Sequence, residues 1–246
     1  FISSLLFEAK AQTINYATAG STATQDFNTL PTSGTQAITT PFDLSASPVS
    51  ATGMGGWYVS KVGGTIANLI GGTGSSNTGG AYNFGSTSAT DRCLGALASA
   101  NIPRLGVLLT NNTGTTLTTF TVTFTGEQWR NGGSNNVNTL AFAYKIGATN
   151  IDDASGYTAN SAGNFSSVKT SATASALDGN LAANRGNVSV TVTGISWADG
   201  TVLGLRWDDA NDTGSDDGLG IDDWSFTAAA GTPLPSVSLS LSPSSG

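Results

Sequence analysis

The sequence predicts an all-β chain folded as a single antiparallel β-sandwich, jelly-roll-like, over residues 12–230. Three observations carry this expectation. Apolar residues recur at every second position in three runs: Phe120, Val122 and Phe124; Leu140, Phe142, Tyr144 and Ile146; Val188, Val190 and Val192. That period marks strands with one face buried. Clusters of Gly, Ser, Thr and Asn separate these runs, as turns between short strands require. No stretch has a helical period of consequence, and no internal repeat of fixed length is visible. A chain of 246 residues with 10% charged residues is too apolar and too weakly charged for disorder, and an all-β chain of this length is commonly one domain.

Taken in order, residues 1–11 are apolar and end in Ala9-Lys10-Ala11, the pattern of a signal-peptide cleavage site. They read as a signal-peptide remnant or as an N-terminal strand. Residues 13–62 hold three or four short β runs, the clearest being Gly56-Trp57-Tyr58-Val59. Residues 63–80 read as a loop around Ile66 and Ile70, and residues 81–84 as a short strand. Asp91-Arg92-Cys93-Leu94-Gly95 leads into a strand over 104–110, with Leu105, Val107 and Leu109 on one face. The strand over 117–125 is expected to end at Gly126-Glu127-Gln128-Trp129-Arg130, before the turn Asn131-Gly132-Gly133. A strand over 137–146 follows. Residues 147–186 read as irregular, with a short strand near Phe165. After the alternating valines, the turn Asp199-Gly200 leads to a strand over 202–207. An acidic loop and a second short strand over 221–226 close the domain. From 231 to 246 the composition changes. Thr232-Pro233-Leu234-Pro235 reads as a linker, since proline stiffens the chain and removes donors. The alternating residues 236–241 read as the start of a following β module or as an exchange strand.

Composition excludes several function classes. There is no histidine, so Ser-His-Asp and Cys-His triads and His-ligated zinc are excluded. The lone Cys93 has no partner for an internal disulfide and reads as a small buried residue. A net charge of −7 opposes nucleic acid, which needs a basic surface, and docking on anionic membranes. No apolar run is long enough to span a bilayer. The chain reads as secreted, extracellular and associated with a cell surface.

Seven of the sixteen acidic residues lie between Asp208 and Asp223. Calcium takes about six to eight oxygen ligands from carboxylates, amides, carbonyls and water. Asp208, Asp209, Asn211, Asp212, Asp216 and Asp217 offer such oxygens on a loop bent by Gly214, Gly218 and Gly220. Asp222 is a further candidate. If strand alternation places it on the face of Trp224 and Phe226, it is buried and needs Arg206 or the metal as a partner. The loop is not an EF-hand: Gly220 stands where the bidentate Glu belongs, and no helices flank it. A bound Ca2+ is expected to be structural. The alternative is a solvated turn, since Asp, Asn and Gly are turn residues in any case.

The scarce charges beside tryptophan form the second constellation. Glu127, Trp129 and Arg130 follow one strand, and Arg206, Trp207 and Asp208 end another. One reading is a glycan patch in which Trp stacks on a sugar while Glu and Arg bind hydroxyls. The other, which we favour, is an internal Arg–carboxylate network with Trp as core. Trp57 and Tyr58, preceded by a glycine-rich segment, are the better candidates for an exposed aromatic platform, and there too core packing is the reading we favour. Glu127 with Asp208 or Asp222 would make a glycosidase pair only if the two stood about 5–10 Å apart across a cleft.

The series Asp26-Phe27-Asn28-Thr29-Leu30, Tyr82-Asn83-Phe84-Gly85, Asp91-Arg92-Cys93-Leu94-Gly95, Thr125 to Arg130, Ala176-Leu177-Asp178-Gly179-Asn180, Arg206-Trp207-Asp208 and Gly220 to Trp224 resembles a secreted β-sandwich domain. That domain recurs in modular surface proteins of Bacteroidetes, cyanobacteria and planctomycetes, and in proteins with PEP-CTERM sorting signals. The resemblance implies an exported, modular context and no catalytic residues. Ile221-Asp222-Asp223 is also similar to the last strand of jelly-roll carbohydrate-binding modules, which implies a structural calcium at that aspartate. The expectation is therefore a non-enzymatic surface adhesion or recognition module, with glycan binding as its candidate activity. Its partner is an extracellular glycan. The alternative is a subunit of a fibre, surface layer or matrix that pairs with neighbouring copies by strand addition.

Overall fold

The computed structural model describes residues 11–100 and 102–231. The expectations for residues 1–10 and 232–246, as signal remnant, exchange strand or linker, lie outside the described residues. Seventeen strands are present: β1 (Ile14–Tyr16), β2 (Thr22–Gln25), β3 (Thr35–Ala37), β4 (Phe42–Asp43), β5 (Trp57–Lys61), β6 (Asn68–Gly72), β7 (Gly80–Phe84), β8 (Cys93–Leu97), β9 (Pro103–Asn111), β10 (Leu117–Asn131), β11 (Thr139–Ile146), β12 (Thr158–Ala159), β13 (Phe165–Ser166), β14 (Ser175–Ala176), β15 (Arg185–Trp197), β16 (Val202–Asp209) and β17 (Gly218–Ala229). Two single-turn 3-10 helices, Ser161–Gly163 and Ala182–Asn184, are the helical content of the described residues.

The strands form two sheets, as the alternating sequence predicts. One runs β12-β11-β16-β9-β5-β4, with β1 beside β9 and β13 beside β11. The other runs β14-β10-β17-β8-β7-β6-β3, with β15 beside β10 and β2 beside β17. Pairing is antiparallel except for β1–β9 and β6–β7. The core lies between the sheets. Phe120, Val122 and Phe124 of β10 enter it, while the intervening threonines face outward and bond across the ladder: Thr121 to Thr191 at 2.8 Å and Thr123 to Ser225 at 2.6 Å. This is the division of labour that a half-buried strand predicts. Trp57 and Trp224 meet edge to face at 5.1 Å, and Phe27 closes on Trp57 at 4.8 Å. Such pairs contribute about 0.5–1.5 kcal/mol each beyond their buried area.

Each sheet also carries a small apolar cluster on its outer face. Residues near 148–151 cover Tyr58 and Leu108, and Tyr82, Phe84, Cys93, Leu97 and Trp129 pack together on the other sheet. This is why all nine residues of β9 are buried, not only Leu105, Val107 and Leu109.

Four sequence expectations are corrected. The 63–80 region is not all loop, because β6 pairs in parallel with β7. Residues 93–97 form a strand in their own right. Gly126–Arg130 does not end β10, which runs on to Asn131. Phe165 lies on Gly126 so closely that a Cβ there would clash, so the glycine admits an aromatic ring and the strand continues. The closing strand is twelve residues long and bulged. The register slips between Thr123–Ser225 and Thr125–Asp222, and Asp223 takes a left-handed φ of 46°.

Candidate functional site

The bulge decides the fate of Asp222. Leu219, Ile221, Trp224 and Phe226 all join the inter-sheet core. Two core-facing residues separated by three positions require one extra residue, and Asp223 supplies it. Asp222 therefore does not share the face of Trp224 and Phe226. It is buried, accepts the Asp223 amide at 2.7 Å, and lies beside Glu127. Burial, then the Glu127 and Asp223 charges, push its pKa up to about 8. Glu127 is raised to about 6, chiefly by burial. One Glu127 oxygen accepts the Trp129 indole N–H at 2.8 Å, and the other has no partner. Neither Arg206 nor the acidic loop is a partner of Asp222.

The other predicted metal ligands also divide. Asp208 and Asp209 end β16 with side chains on opposite faces. Asp208 receives a two-pronged pair from Arg104, Nε to Oδ1 at 2.7 Å and Nη2 to Oδ2 at 2.9 Å. The same guanidinium holds Asp152 at 2.8 Å, and Ser60 donates to Asp152. Arg206 lies 3.9 Å over the Tyr157 ring. This is the internal network expected around Arg206 and Asp208, with Arg104 as its unforeseen centre. Asn211 accepts the Ala100 amide at 2.7 Å. Asp217 accepts Gly132 N–H at 2.6 Å and Gln128 Nε2 at 3.0 Å, so its oxygens are committed to the fold.

Asp209, Asp212 and Asp216 remain. Asp209 is 1% exposed and neither carboxylate oxygen has a well-formed hydrogen bond. Burial raises its pKa well above the ordinary value, and the Asp216, Asp212 and Asp217 charges add to this, against a lowering by the Ala98 amide. Asp216 accepts the Asp212 amide at 2.8 Å, and burial raises its pKa also. An uncompensated buried carboxylate costs several kcal/mol unless a proton or cation joins it. Among the described residues no three His, Cys, Asp or Glu side chains converge as a metal centre by themselves. A calcium ion here would draw carbonyl and water oxygens into its shell, as calcium commonly does.

Beside this loop is a polar cleft of about 320 Å3. Its lining includes Asn77, Ser99, Arg130, Ser215 and Asp216. Arg130 Nη1 is held by the carbonyls of Gly74 at 3.2 Å and Ser75 at 3.3 Å. The cleft joins a residue expected for ligand binding to one expected for metal binding. The aromatic platform is corrected: Trp57 and Trp129 are 0% and 1% exposed, and Tyr58 is buried with its hydroxyl donating to Gln12 O at 2.9 Å. All five tryptophans are core residues, so none offers a face to a sugar. Glu127 is buried too. Of the predicted ligand residues, Arg130 alone lines one of the described clefts. Sequence reasoning missed Asn77 and Ser99, which stand far from Arg130 in the chain, in polar stretches without periodicity.

No family model matches the chain, and no curated protein matches it. Solved structures that the chain resembles include the CBM22-1 xylan-binding domain from Paenibacillus barcinonensis, at 11% identity over 88% of this chain and 99% of that one, TM-score 0.36. The xylan-binding module CBM15 matches at 10% identity over 80% and 99%, TM-score 0.37. The module TmCBM61, solved with β-1,4-galactotriose, matches at 12% identity over 70% and 88%, TM-score 0.34. At these TM-scores the likenesses assign neither site nor ligand to this chain. No helix among the described residues is long and apolar enough to cross a membrane.

Proposed function

We propose that this chain is a non-catalytic, extracellular recognition module that binds glycan hydroxyls in the Arg130–Asp216 cleft and is stabilised by calcium at Asp209. The cleft is the observation that carries the reading. A guanidinium, a carboxylate, an amide and hydroxyls border one small open space, and vicinal sugar hydroxyls, which both donate and accept, complement such a set. Asp209 supports the cation. Its two unpartnered oxygens lie behind the cleft wall, near Ala98 and Asp216.

Hydrolysis is not favoured. A glycosidase needs two carboxylates flanking a bound sugar. Asp216 is the one carboxylate that lines this cleft. Glu127 and Asp222, whose raised pKa values would suit an acid, are buried, and none of the described clefts is lined by either. The extracellular setting rests on the apolar N-terminal segment and on the family resemblance of the sequence. The test is a glycan array probed in calcium with the wild type and Arg130→Ala. Retention lost in the variant, at an unchanged melting temperature, supports the cleft. Equal retention by both moves the site elsewhere, and no retention by the wild type removes the recognition reading.

A further inference from the structure

A second cleft, on the opposite edge of the same sheet from β14, holds a buried arginine with no ion pair among the described residues, although the Asp91 charge acts on it from a distance. It is bounded by the 32–33 turn, the end of β6 and the β7–β8 turn, and encloses about 230 Å3. Its floor is Arg92, 2% exposed. Arg92 Nη2 donates to the carbonyls of Thr32 at 2.7 Å and Ala89 at 2.8 Å, which clamps the turn to the sheet. Those acceptors are neutral. Among the described residues no carboxylate lies within ion-pair distance of Arg92, in contrast to Arg104 with its two aspartates. Arg92 Nε is buried without a partner, and Nη1 donates to no acceptor among the described residues; it lies against Gly85, where a Cβ would clash.

A second unsatisfied group stands behind the same wall. Asn83 is 0% exposed, and both its amide oxygen and its amide nitrogen lack partners. Its Oδ1 is 3.0 Å from the place a Cβ would take on Gly71, and Gly71 lines the cleft. Arg92 Nε is thus orphaned beside an opening whose remaining lining is rich in hydroxyls, Ser33, Thr73, Ser86 and Thr87 among them, while Asn83, which does not itself line the cleft, adds two orphaned atoms behind Gly71. Buried polar atoms are seldom left unpaired in a native protein, and a buried guanidinium least of all.

We propose that this cleft is an oxyanion site that takes a carboxylate, with Arg92 supplying the charge and the surrounding hydroxyls orienting the group. Arginine is suited to planar carboxylates. The neighbouring acids select against a more highly charged anion. Asp178 is 3.4 Å from Ser86 Oγ, and Asp91 precedes Arg92 in the chain. Each repels a doubly charged sulfate more than a singly charged carboxylate. The site is separate from the Arg130–Asp216 cleft and does not depend on it.

The experiment is a 1H–15N NMR titration of the whole chain with sodium glucuronate, sodium acetate, sodium sulfate and methyl glucoside, at constant ionic strength set with chloride. Glucuronate and acetate are expected to give saturable shifts confined to Gly71, Gly72, Ser86, Thr87 and the Arg92 Nε–H. Acetate matching glucuronate assigns the site to the carboxylate alone, and a tighter glucuronate assigns it to an acidic sugar. Ser33→Asp keeps Arg92 and places a carboxylate in the wall. It is expected to weaken both ligands at least tenfold while raising the melting temperature. Absence of localised shifts, equal shifts from methyl glucoside, tighter binding of sulfate, or unchanged affinity in Ser33→Asp would each overturn the proposal. Loss of binding to the glycan array in Arg130→Ala leaves it untouched.

Discussion

Asp208 and Asp209 are neighbours in the chain and stand in opposite circumstances. Strand alternation sends their side chains to opposite faces of one sheet. Asp208 meets Arg104, which holds it through two parallel hydrogen bonds and ties Asp152 to the same fork. Asp209 meets no cation: the charges beside it are those of Asp216, Asp212 and Asp217, the Ala98 amide is its one favourable neighbour, and neither oxygen has a well-formed hydrogen bond. The first is an assembled electrostatic unit that joins β9, β16 and the 150–153 turn. The second is an incomplete one. The difference shows that an acidic run is not a site by virtue of its charge. Each residue has to be followed to the groups that its strand position lets it touch.

The comparison can be broken first on its completed side. Arg104→Met leaves Asp152 and Asp208 facing each other without the cation. Breaking such a pair costs about 3 kcal/mol, near the low end for buried pairs, because both carboxylates are partly exposed. Chemical denaturation would read the loss, and it should be the same with calcium or chelator. On the incomplete side, calcium at about a hundred times its dissociation constant should stabilise the wild type by about 2.7 kcal/mol. A thermal melt in chelator should show that loss, and Asp209→Asn should abolish the response. The pH dependence has a defined sign. Asp209 binds its proton more tightly folded than unfolded, so without calcium its contribution is greatest at low pH and falls as pH rises. Calcium competes with that proton, so the gap between calcium and chelator melts should widen with pH.

The Glu127–Asp222 pair sharpens the contrast, being an incomplete carboxylate site away from the loop. Folded-state values of about 6 and about 8 exceed the ordinary ones. Their stabilisation is therefore fully present below about pH 4 and fades as pH rises through 6 and 8. Asp222→Asn should flatten the upper part of that decline. At pH 8 it should stabilise the protein by about 2 kcal/mol, each tenfold change in protonation being worth about 1.4 kcal/mol and exposed Asp223 opening one side to screening. Equal denaturation curves for variant and wild type at pH 8 would show that the pair is already compensated. The smallest expected effect on stability is that of Arg130→Ala, within about 0.5 kcal/mol, because its contacts are to loop carbonyls at a cleft mouth.

Where period and burial coincide, the sequence was a good guide. The threonine-alternated β10 and β11 and the valines of β15 appear as expected. Strands without that contrast were not legible. β6 reads Asn-Leu-Ile-Gly-Gly, a composition shared with turns, and becomes a strand only through its pairing with β7. β8 has five buried residues and hence no alternation to detect. The site was legible in its residue types and not in its grouping. A one-residue bulge at Asp223 moved Asp222 off the core face, and no local pattern announces a bulge. The tryptophans offer the same lesson. A glycine-rich segment before Trp57 invited an exposed reading, but an indole on a central strand has more to gain from Phe27 and Trp224 than from water. Arg92 stood among the motif residues of the resemblance, yet its lack of an ion-pair contact among the described residues depends on geometry that the sequence does not display.

Calorimetric titration of calcium into chelator-stripped protein at pH 7 tests the reading of Asp209 most directly. A saturable heat with one ion bound per chain in the wild type, and none in Asp209→Asn, is the predicted result. A wild type that takes up no calcium, or an Asp209→Asn variant that binds it as well as the wild type, would contradict it.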